Sequence, residues 1–301
     1  AVLPFKNLSN DEEQEYFADG ITEDIIANLS LWKTFPVISR NSSFSFKNST
    51  EKSDVISKAL GARYLVEGSV RKAGNKVRIT AQLTSADDDK QIWSKRWDRS
   101  LEDIFEVQDE VSRDVAALIS PALKDQEQVK LSTKGKKNFG AWDEYLQGLN
   151  IYNTENFAGS TSGDKVIEHC KRAIELDANF CDAYVLYCNV LQGMIYSHEH
   201  QDKREENTKL FHQMAQKAVD TDPENPDAMS SLSMSYSIKK DLNKRLETAE
   251  KALELNPSHP RSNFSYGQAL TNFGRNEEAL SYVNKAIAVS YTHLTLPTTL
   301  S

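Results

Sequence analysis

His198 and His200 are the residues whose type and spacing most directly suggest chemistry, because they stand two apart in an acidic segment, 197–206. Imidazole and carboxylate groups bind zinc, but a stable site needs three or four ligands held in a fixed geometry. No regular element positions a third and a fourth ligand beside this pair, so we interpret the segment as a flexible, charged insertion. The sequence therefore predicts no metal site and no cofactor.

A run of aspartates and a pair of tryptophans each allow two interpretations. Asp87–Asp89 could hold a divalent cation, but further oxygen ligands at defined spacing are missing, so a solvated hairpin turn is favoured. Trp93 and Trp97 could form an exposed recognition surface, whereas packing beneath the following helix is favoured because large aromatic side chains gain most from burial. Neither group requires catalysis.

A polar segment, Arg40, Asn41 and Ser42, follows a predicted buried strand, Phe35–Ser39. Ligands of α/β proteins often bind beyond strand ends, so these three residues are candidates for a ligand or partner site. The alternative, an ordinary turn, is favoured.

The three cysteines, Cys170, Cys181 and Cys188, are too few and odd in number for a disulfide framework. We interpret them as small buried helix residues rather than as redox or metal-binding groups. The sequence also lacks a phosphate-binding glycine loop, a nucleophile elbow, a helical pair of metal-binding histidines and a dinucleotide fingerprint. We therefore expect no enzymatic activity from this chain.

The chain has 301 residues, of which 39% are hydrophobic and 27% charged, and its formal net charge is −8. The acidic balance argues against nucleic-acid binding, which needs a basic face. No stretch approaches the roughly 20 apolar residues of a membrane span. Localisation stays open: a membrane span upstream of Ala1 would place the chain in the periplasm, and without one it would be cytoplasmic. A membrane association would come only from such an upstream span.

The elements that position these residues fall into two classes. The order of sequence patterns in residues 1–124 predicts an α/β domain with a mixed sheet, whose elements follow one another as β-α-β-α-β-β-β-α. We expect its first strand, Val2–Phe5, to be truncated by the start of the given sequence. Asp19 is expected to cap the first helix and Gly61 to end the second. Beyond Gly61 the apolar period becomes two, and residues 77–83 alternate between apolar and polar side chains.

Several ordered segments in this half carry a family resemblance: 1–9, 16–26, 39–44, 61–71, 77–83, 93–99 and 103–110. Together they resemble the TolB-like amino-terminal domain over residues 1–124. The resemblance implies a sensory or assembly module, and it supplies no catalytic residue. Such domains commonly follow a class III nucleotide cyclase, a winged-helix DNA-binding domain or a protein kinase, often with a membrane span between, and tetratricopeptide repeats usually follow them.

An internal repeat begins after a predicted linker, residues 125–140. The same three-residue pattern, a basic residue followed by an alanine and an apolar residue, occurs four times in this half of the chain. Each of the last two occurrences follows the one before it by 34 residues. The alanines are Ala173, Ala218, Ala252 and Ala286. This period resembles the tetratricopeptide repeat, in which each unit is a pair of helices. Residues 141–289 therefore predict an all-α solenoid of at least three repeats.

Stacked repeats bury a continuous core and leave a concave face, which binds peptides or other proteins, or a second copy of the chain. The first helix of each pair should line that face. The candidate partner-binding residues on these helices are Tyr184, Tyr187, Asn189, Ser230, Ser233, Asn263 and Tyr266. For many of them the alternative, packing against the partner helix, is favoured.

Residues 290–301 are rich in threonine and show neither helical period nor capping residues, so we interpret them as a non-native tail. The whole sequence predicts a non-catalytic protein-interaction and sensory module of a larger bacterial signalling protein. The alternatives are the carboxy-terminal regulatory part of a class III adenylate or guanylate cyclase, with its catalytic domain upstream, and the same part of a winged-helix transcriptional regulator.

Overall fold

The computed structural model describes residues 1–9, 11, 14–30, 35–86, 90–119, 138–154 and 160–290. The chain divides into two compact units, within residues 1–135 and residues 136–286. Three sequence predictions lie outside the described residues: the turn at Asp87–Asp89, most of the linker 125–140, and the tail beyond residue 290.

The amino-terminal unit is a four-stranded sheet with helices. Its elements are β1 Lys6–Asn7, α1 Glu15–Ser30, α2 Arg40–Phe44, α3 Ser53–Leu60, β2 Tyr64–Ala73, β3 Lys76–Ser85, β4 Lys90–Ser100 and α4 Ile104–Ile119. The strand order is β1-β2-β3-β4, in which β1 runs parallel to β2 and the later neighbours are antiparallel. The predicted mixed sheet is therefore present.

A tight hairpin between β2 and β3 sets the register of the sheet. Ala73 pairs with Lys76 across a two-residue turn in which Gly74 has φ 59°, a left-handed conformation that favours glycine. Every second residue from Val77 to Leu83 is buried. Helix α4 packs against β3 and β4, and α1 packs against α4. The alternating pattern of residues 77–83 thus separates a core face from a wet face.

The two tryptophans of β4 pack within the unit, as the sequence analysis favours, rather than forming an exposed recognition surface. Trp97 is buried, and its indole Nε1 donates a hydrogen bond of 2.7 Å to Glu110 Oε2 on α4. The ring of Trp93, which is half-buried, lies 5.8 Å from that of Trp97. A buried indole needs an acceptor for its N–H, and the α4 carboxylate provides it.

Three local predictions for this unit are wrong. Phe35–Ser39 joins no strand in the described structure, because β2 itself occupies the place beside β1, and the element order is β-α-α-α-β-β-β-α. Arg40 begins helix α2 rather than a turn, because the Ser39 hydroxyl caps that helix by accepting from the Ser42 N–H. Asp19 lies inside α1 rather than at its start, and its carboxylate accepts hydrogen bonds from Lys47 Nζ at 2.6 and 2.8 Å.

The carboxy-terminal unit consists of helices that pack in successive pairs. They are α5 Phe139–Thr154, α6 Ser160–Leu176, α7 Cys181–Tyr196, α8 Arg204–Thr221, α9 Pro226–Ile238, α10 Leu242–Leu255, α11 Pro260–Thr271 and α12 Asn276–Ser290. Within the described residues these form four pairs: α5–α6, α7–α8, α9–α10 and α11–α12. The wider spacing before Ala218 arises from a 3₁₀ segment, His198–Lys203, between α7 and α8, and from the greater length of these two helices, which have 16 and 18 residues against 13 and 14 in α9 and α10.

The repeated alanines hold the second helix of each pair close to its neighbours. Ala173, Ala218, Ala252 and Ala286 are all buried, on α6, α8, α10 and α12. The last pair shows how closely the helices approach: a Cβ atom on Gly267 would lie 3.0 Å from the backbone oxygen of Ala279. A small residue at position 267 is therefore required by the packing of α11 against α12.

Polar caps begin the first helices of the last two pairs. Asn225 precedes Pro226 and accepts hydrogen bonds from the Asp227 and Ala228 N–H groups at 2.9 and 3.1 Å. His259 precedes Pro260 in the equivalent place. A capping residue followed by proline is a strong helix start, because proline lacks the N–H that would be unsatisfied there.

Candidate partner-binding surface of the helical repeats

Six of the seven candidate residues on the repeat helices are buried, and only Asn189 is half-buried. The buried residues are Tyr184, Tyr187, Ser230, Ser233, Asn263 and Tyr266. Their polar groups serve the array itself: Ser233 Oγ donates to the Arg245 backbone oxygen at 2.9 Å, and Asn263 Nδ2 donates to the Pro257 oxygen at 2.8 Å. That these residues line a binding face stays a prediction.

The buried tyrosines and cysteines form part of the core of the first two pairs. Burial raises the pKa of Tyr187 to about 12, and the neighbouring Cys170 and Cys188 thiols add to the effect. Burial likewise raises the pKa of Cys188 to about 12. A thiol with a raised pKa carries little thiolate near neutral pH and is a poor nucleophile or metal ligand. The structure thus favours packing as the role of these cysteines.

The front-half candidates lie on the short helix α2. Arg40 Nε donates to Glu23 Oε2 at 2.9 Å, and the guanidinium lies 4.0 Å from the centre of the Phe44 ring. Ser42 is buried, whereas Asn41 is exposed. Arg40 is therefore occupied by contacts within the unit, and the role of these three residues in binding remains a prediction.

A groove of about 310 Å³ opens between α8, α9 and α10. Its lining combines apolar and charged side chains: Val219, Met229, Leu232, Tyr236, Lys244, Glu247, Thr248 and Lys251. The Lys244 ammonium lies 5.6 Å from the centre of the Tyr236 ring, and Lys251 Nζ lies 2.8 Å from Glu247 Oε1. This arrangement can hold an apolar side chain below charged groups.

Sequence reasoning missed the groove because it considered only the first helix of each pair. Its three charged residues all belong to α10, a second helix, on which Lys244, Glu247 and Lys251 follow one another at intervals of three and four. That spacing places them on one helix face and could have been noticed. The contribution of α8 to the groove could not be predicted in this way, since it depends on how two helical pairs stack.

A charged contact joins the starts of α9 and α11 across two successive pairs. Asp227 Oδ2 lies 3.4 Å from His259 Nε2, and Asp227 Oδ1 lies 3.6 Å from Arg261 Nη1. Arg261 Nη2 also donates to Ser231 Oγ at 2.9 Å. Desolvation acts to raise the pKa of Asp227, but His259 and Arg261 outweigh it and hold that pKa below its usual range. The contact therefore stabilises the stacking of α9 and α11.

Neither a metal centre nor a membrane span is found in the part of the chain that the structure describes. In those ranges no three or more histidine, cysteine, aspartate or glutamate side chains are grouped closely enough to hold a metal ion. No helix in the same ranges has both the length and the apolar character that crossing a bilayer requires.

Comparison with known proteins identifies the last two helical pairs. The family model for the tetratricopeptide repeat matches residues 226–259 and 260–293, which include α9–α10 and α11–α12. The chain is 36% identical over 252 residues to a protein of Rhizobium meliloti (strain 1021) named "Putative adenylate cyclase 3". This similarity covers 84% of the chain but only 42% of that relative's length.

Solved structures of low sequence identity also resemble the chain. TTC0263, a thermophilic tetratricopeptide-repeat protein of Thermus thermophilus, matches with a TM-score of 0.40 and 16% identity, over 62% of this chain and 88% of that one. MamA matches with a TM-score of 0.36 and 19% identity, over 53% and 82%. Scores at this level carry no argument about partners. On the family-model match, the chain carries tetratricopeptide repeats in its carboxy-terminal unit.

Proposed function

We propose that this chain is a non-catalytic protein-interaction and sensory module of a larger bacterial signalling protein. The observation that carries the proposal is the stack of helical pairs with a groove between α8, α9 and α10. Tetratricopeptide repeats generally bind protein partners, since stacked pairs present an extended surface to a peptide or protein. The partner would be a protein or peptide rather than a nucleic acid, because the chain has a net charge of −8.

The signalling part of the proposal is supported by the named relative and by the resemblance of residues 1–124 to the TolB-like domain. The chain spans less than half of that relative, so a catalytic domain would lie in a part of the parent protein that this chain does not contain. In this proposal residues 125–140 link the two domains, residues 141–289 form the repeats and residues 290–301 are non-native. The winged-helix regulator remains the alternative parent.

Peptide selection on the immobilised full-length chain tests the interaction function. Random peptides displayed on phage should enrich sequences that share an apolar anchor residue, and the synthesised peptides should bind the chain in solution. Tyr236→Ala, in the groove wall, should weaken binding about tenfold. Ile92→Ala, at an exposed apolar residue of β4, is the matched control and should leave binding unchanged. Failure to enrich any peptide would contradict the proposal.

A cyclase assay tests the non-catalytic part. The purified chain, incubated with ATP or GTP and with Mg²⁺ or Mn²⁺, should form no cyclic nucleotide above a reaction without protein. Product above that background would show that the chain is catalytic.

A further inference from the structure

The last helical pair exposes three large apolar side chains. Phe264 on α11 is 44% exposed, and Leu280 and Ile287 on α12 are 59% and 43% exposed. Leu280 and Ile287 are seven residues apart, which places them on the same face of α12. Single exposed apolar residues are common in soluble proteins, whereas a group of them on one surface indicates an interaction site. The earlier pairs show that these residues share a surface.

Equivalent residues of the α7–α8 pair lie together, and the next pair covers them. Val185 and Phe264 are each the fifth residue of a first helix. Val219 and Ile287 each directly follow a repeated alanine. Val185 belongs to a buried cluster that includes Ala228 of α9, and Val219 packs against that cluster. Phe264 and Ile287 therefore occupy the place at which a following first helix packs on the pair before it.

The α9–α10 pair shows the same cover at the positions of Leu280 and Ile287. Leu246 and Leu253 of α10 stand 34 residues before these two. Both leucines are half-buried and pack against the cluster that α10 forms with α11 and α12. Since the pair at the end of a soluble repeat array needs a polar outer face, an apolar one indicates that another surface covers it. We call the surface formed by Phe264, Leu280 and Ile287 the outer face.

The outer face carries no charge that would oppose its own copy. Asn284 lies between Leu280 and Ile287 on the same side of α12, where α10 carries the exposed Glu250. The face therefore combines apolar side chains with an uncharged amide, in a chain of which 27% is charged. Two such faces can meet without like-charge repulsion.

The first helix of the described array, α5, does not match the outer face. Every residue of α5, 139–154, is described, and none of its large hydrophobic side chains is exposed. A head-to-tail contact, with α5 of one copy on the outer face of another, would thus leave the exposed apolar residues without apolar partners. A two-fold contact places the outer face against itself, and it closes at two copies instead of growing into a filament.

We propose that two copies of this chain associate through the outer faces of their α11–α12 pairs, around a two-fold axis. Phe264, Leu280 and Ile287 of both copies are then removed from water, which supplies the free energy of association. This inference goes beyond the proposed function. The outer face contains none of the residues that line the groove between α8, α9 and α10, so one chain can use both surfaces.

Sedimentation velocity of the full-length chain tests the dimer. Between about 1 μM and about 1 mM the mass should rise from that of the 33.9 kDa chain to twice this value and no further. Leu280→Asp places a charge in the contact twice and should weaken the dimer by at least about tenfold. Phe264→Ser, which introduces the residue found at the same place in α9, should also weaken it. Leu176→Asp, at a 51% exposed side chain of α6, is the matched control and should dimerise like wild type.

Hydrogen exchange adds a measurement on the wild-type chain. The amides of α12 should exchange more slowly as the concentration rises, whereas those of α7 should not change. Circular dichroism should show equal helix content in all variants, because each replaces an exposed side chain.

Three outcomes overturn the inference: a mass that stays at one chain throughout, a mass that grows beyond two chains, or a dimer that both outer-face variants retain. A chain that stays monomeric would leave the outer face to a helix of another protein. Peptide selection separates these failures from failure of the proposed function. If peptides are enriched and the chain stays monomeric, the dimer is wrong and the interaction function stands. If the chain dimerises and no peptide is enriched, the peptide-binding function is wrong.

Discussion

Asp227 Oδ2 and His259 Nε2 lie 3.4 Å apart and connect the first turns of α9 and α11, which belong to different helical pairs. Arg261 stands on the other side of the same carboxylate. Asp227 belongs to the α9–α10 pair and contacts His259 and Arg261 of the α11–α12 pair, so its side chain connects two successive pairs. This relationship gives the stacking of the repeats a measurable dependence on pH.

Asp227→Asn should lower the free energy of unfolding by about 0.5–1 kcal/mol at neutral pH. The depressed pKa of Asp227 means that the wild-type stabilisation is present above the ordinary carboxyl range and is lost as pH falls through the folded value. Chemical denaturation from pH 7 to pH 3 should show the difference between wild type and variant shrinking in acid. Glu224→Gln, at an exposed acid, is the control, and an equal loss there would contradict the assignment.

Gly267→Ala should destabilise the last helical pair. The added Cβ would lie 2.9 Å from Val283 Cγ2 and 3.0 Å from the Ala279 oxygen, so α11 and α12 must move apart. We expect a loss of about 1–3 kcal/mol, measured by thermal or urea unfolding. Gly193→Ala in α7 is the matched control, because nothing lies within 4 Å of its added Cβ. That control should be neutral or slightly stabilising, since alanine favours helix more than glycine does.

Arg245→Leu should stabilise the fold, by about 1 kcal/mol, because this position is 8% exposed and the equivalent positions of the other pairs carry Val166, Phe211 and Ala279. The melting temperature of the full-length chain measures this effect. Arg275→Leu, at an exposed arginine, should change stability by less than about 0.5 kcal/mol. If Arg245→Leu instead lowers the melting temperature, the arginine side chain stabilises the fold and this expectation is wrong.

Trp97→Phe should raise the pKa of Glu110. The hydrogen bond from the Trp97 indole is the largest cause of the low pKa of this carboxyl, ahead of the opposing desolvation and the contributions of Lys95 and Arg99. NMR titration of the Glu110 side chain would show the upward shift. Trp93→Phe is the matched control, and it should leave the pKa of Glu110 unchanged. An unchanged Glu110 titration in Trp97→Phe would mean that the hydrogen bond is absent in solution.

The sequence allows prediction of the features that local chemistry determines. Gly61 ends α3 in a left-handed conformation, with φ 60°, as a glycine after a helical stripe indicates. The 34-residue spacing of Ala218, Ala252 and Ala286 places them in second helices because close helix contact requires small residues there. By contrast, Phe35–Ser39 could equally well be a strand or a connection, and only the pairing of β1 with β2 decides it.

The candidate site was harder to predict because it depends on neighbours distant in sequence. Tyr184 and Ser233 lie on a first helix, as expected, yet adjoining helices bury them on several sides. A single repeat gives no indication that Arg245 is buried, since an arginine on a helix is usually at the surface. Aligning it with Phe211 and Ala279 would have identified it as an exception from the sequence alone.

Because each helical pair contacts mainly the next one, the array should behave as a one-dimensional chain of nearest-neighbour units. Its local opening should then differ along its length. The α11–α12 pair carries exposed apolar side chains at Phe264, Phe273 and Leu280, and in the described residues it packs on one neighbouring pair, α9–α10. Its amides should therefore exchange with solvent sooner than those of α7 and α8, which pack between the α5–α6 and α9–α10 pairs.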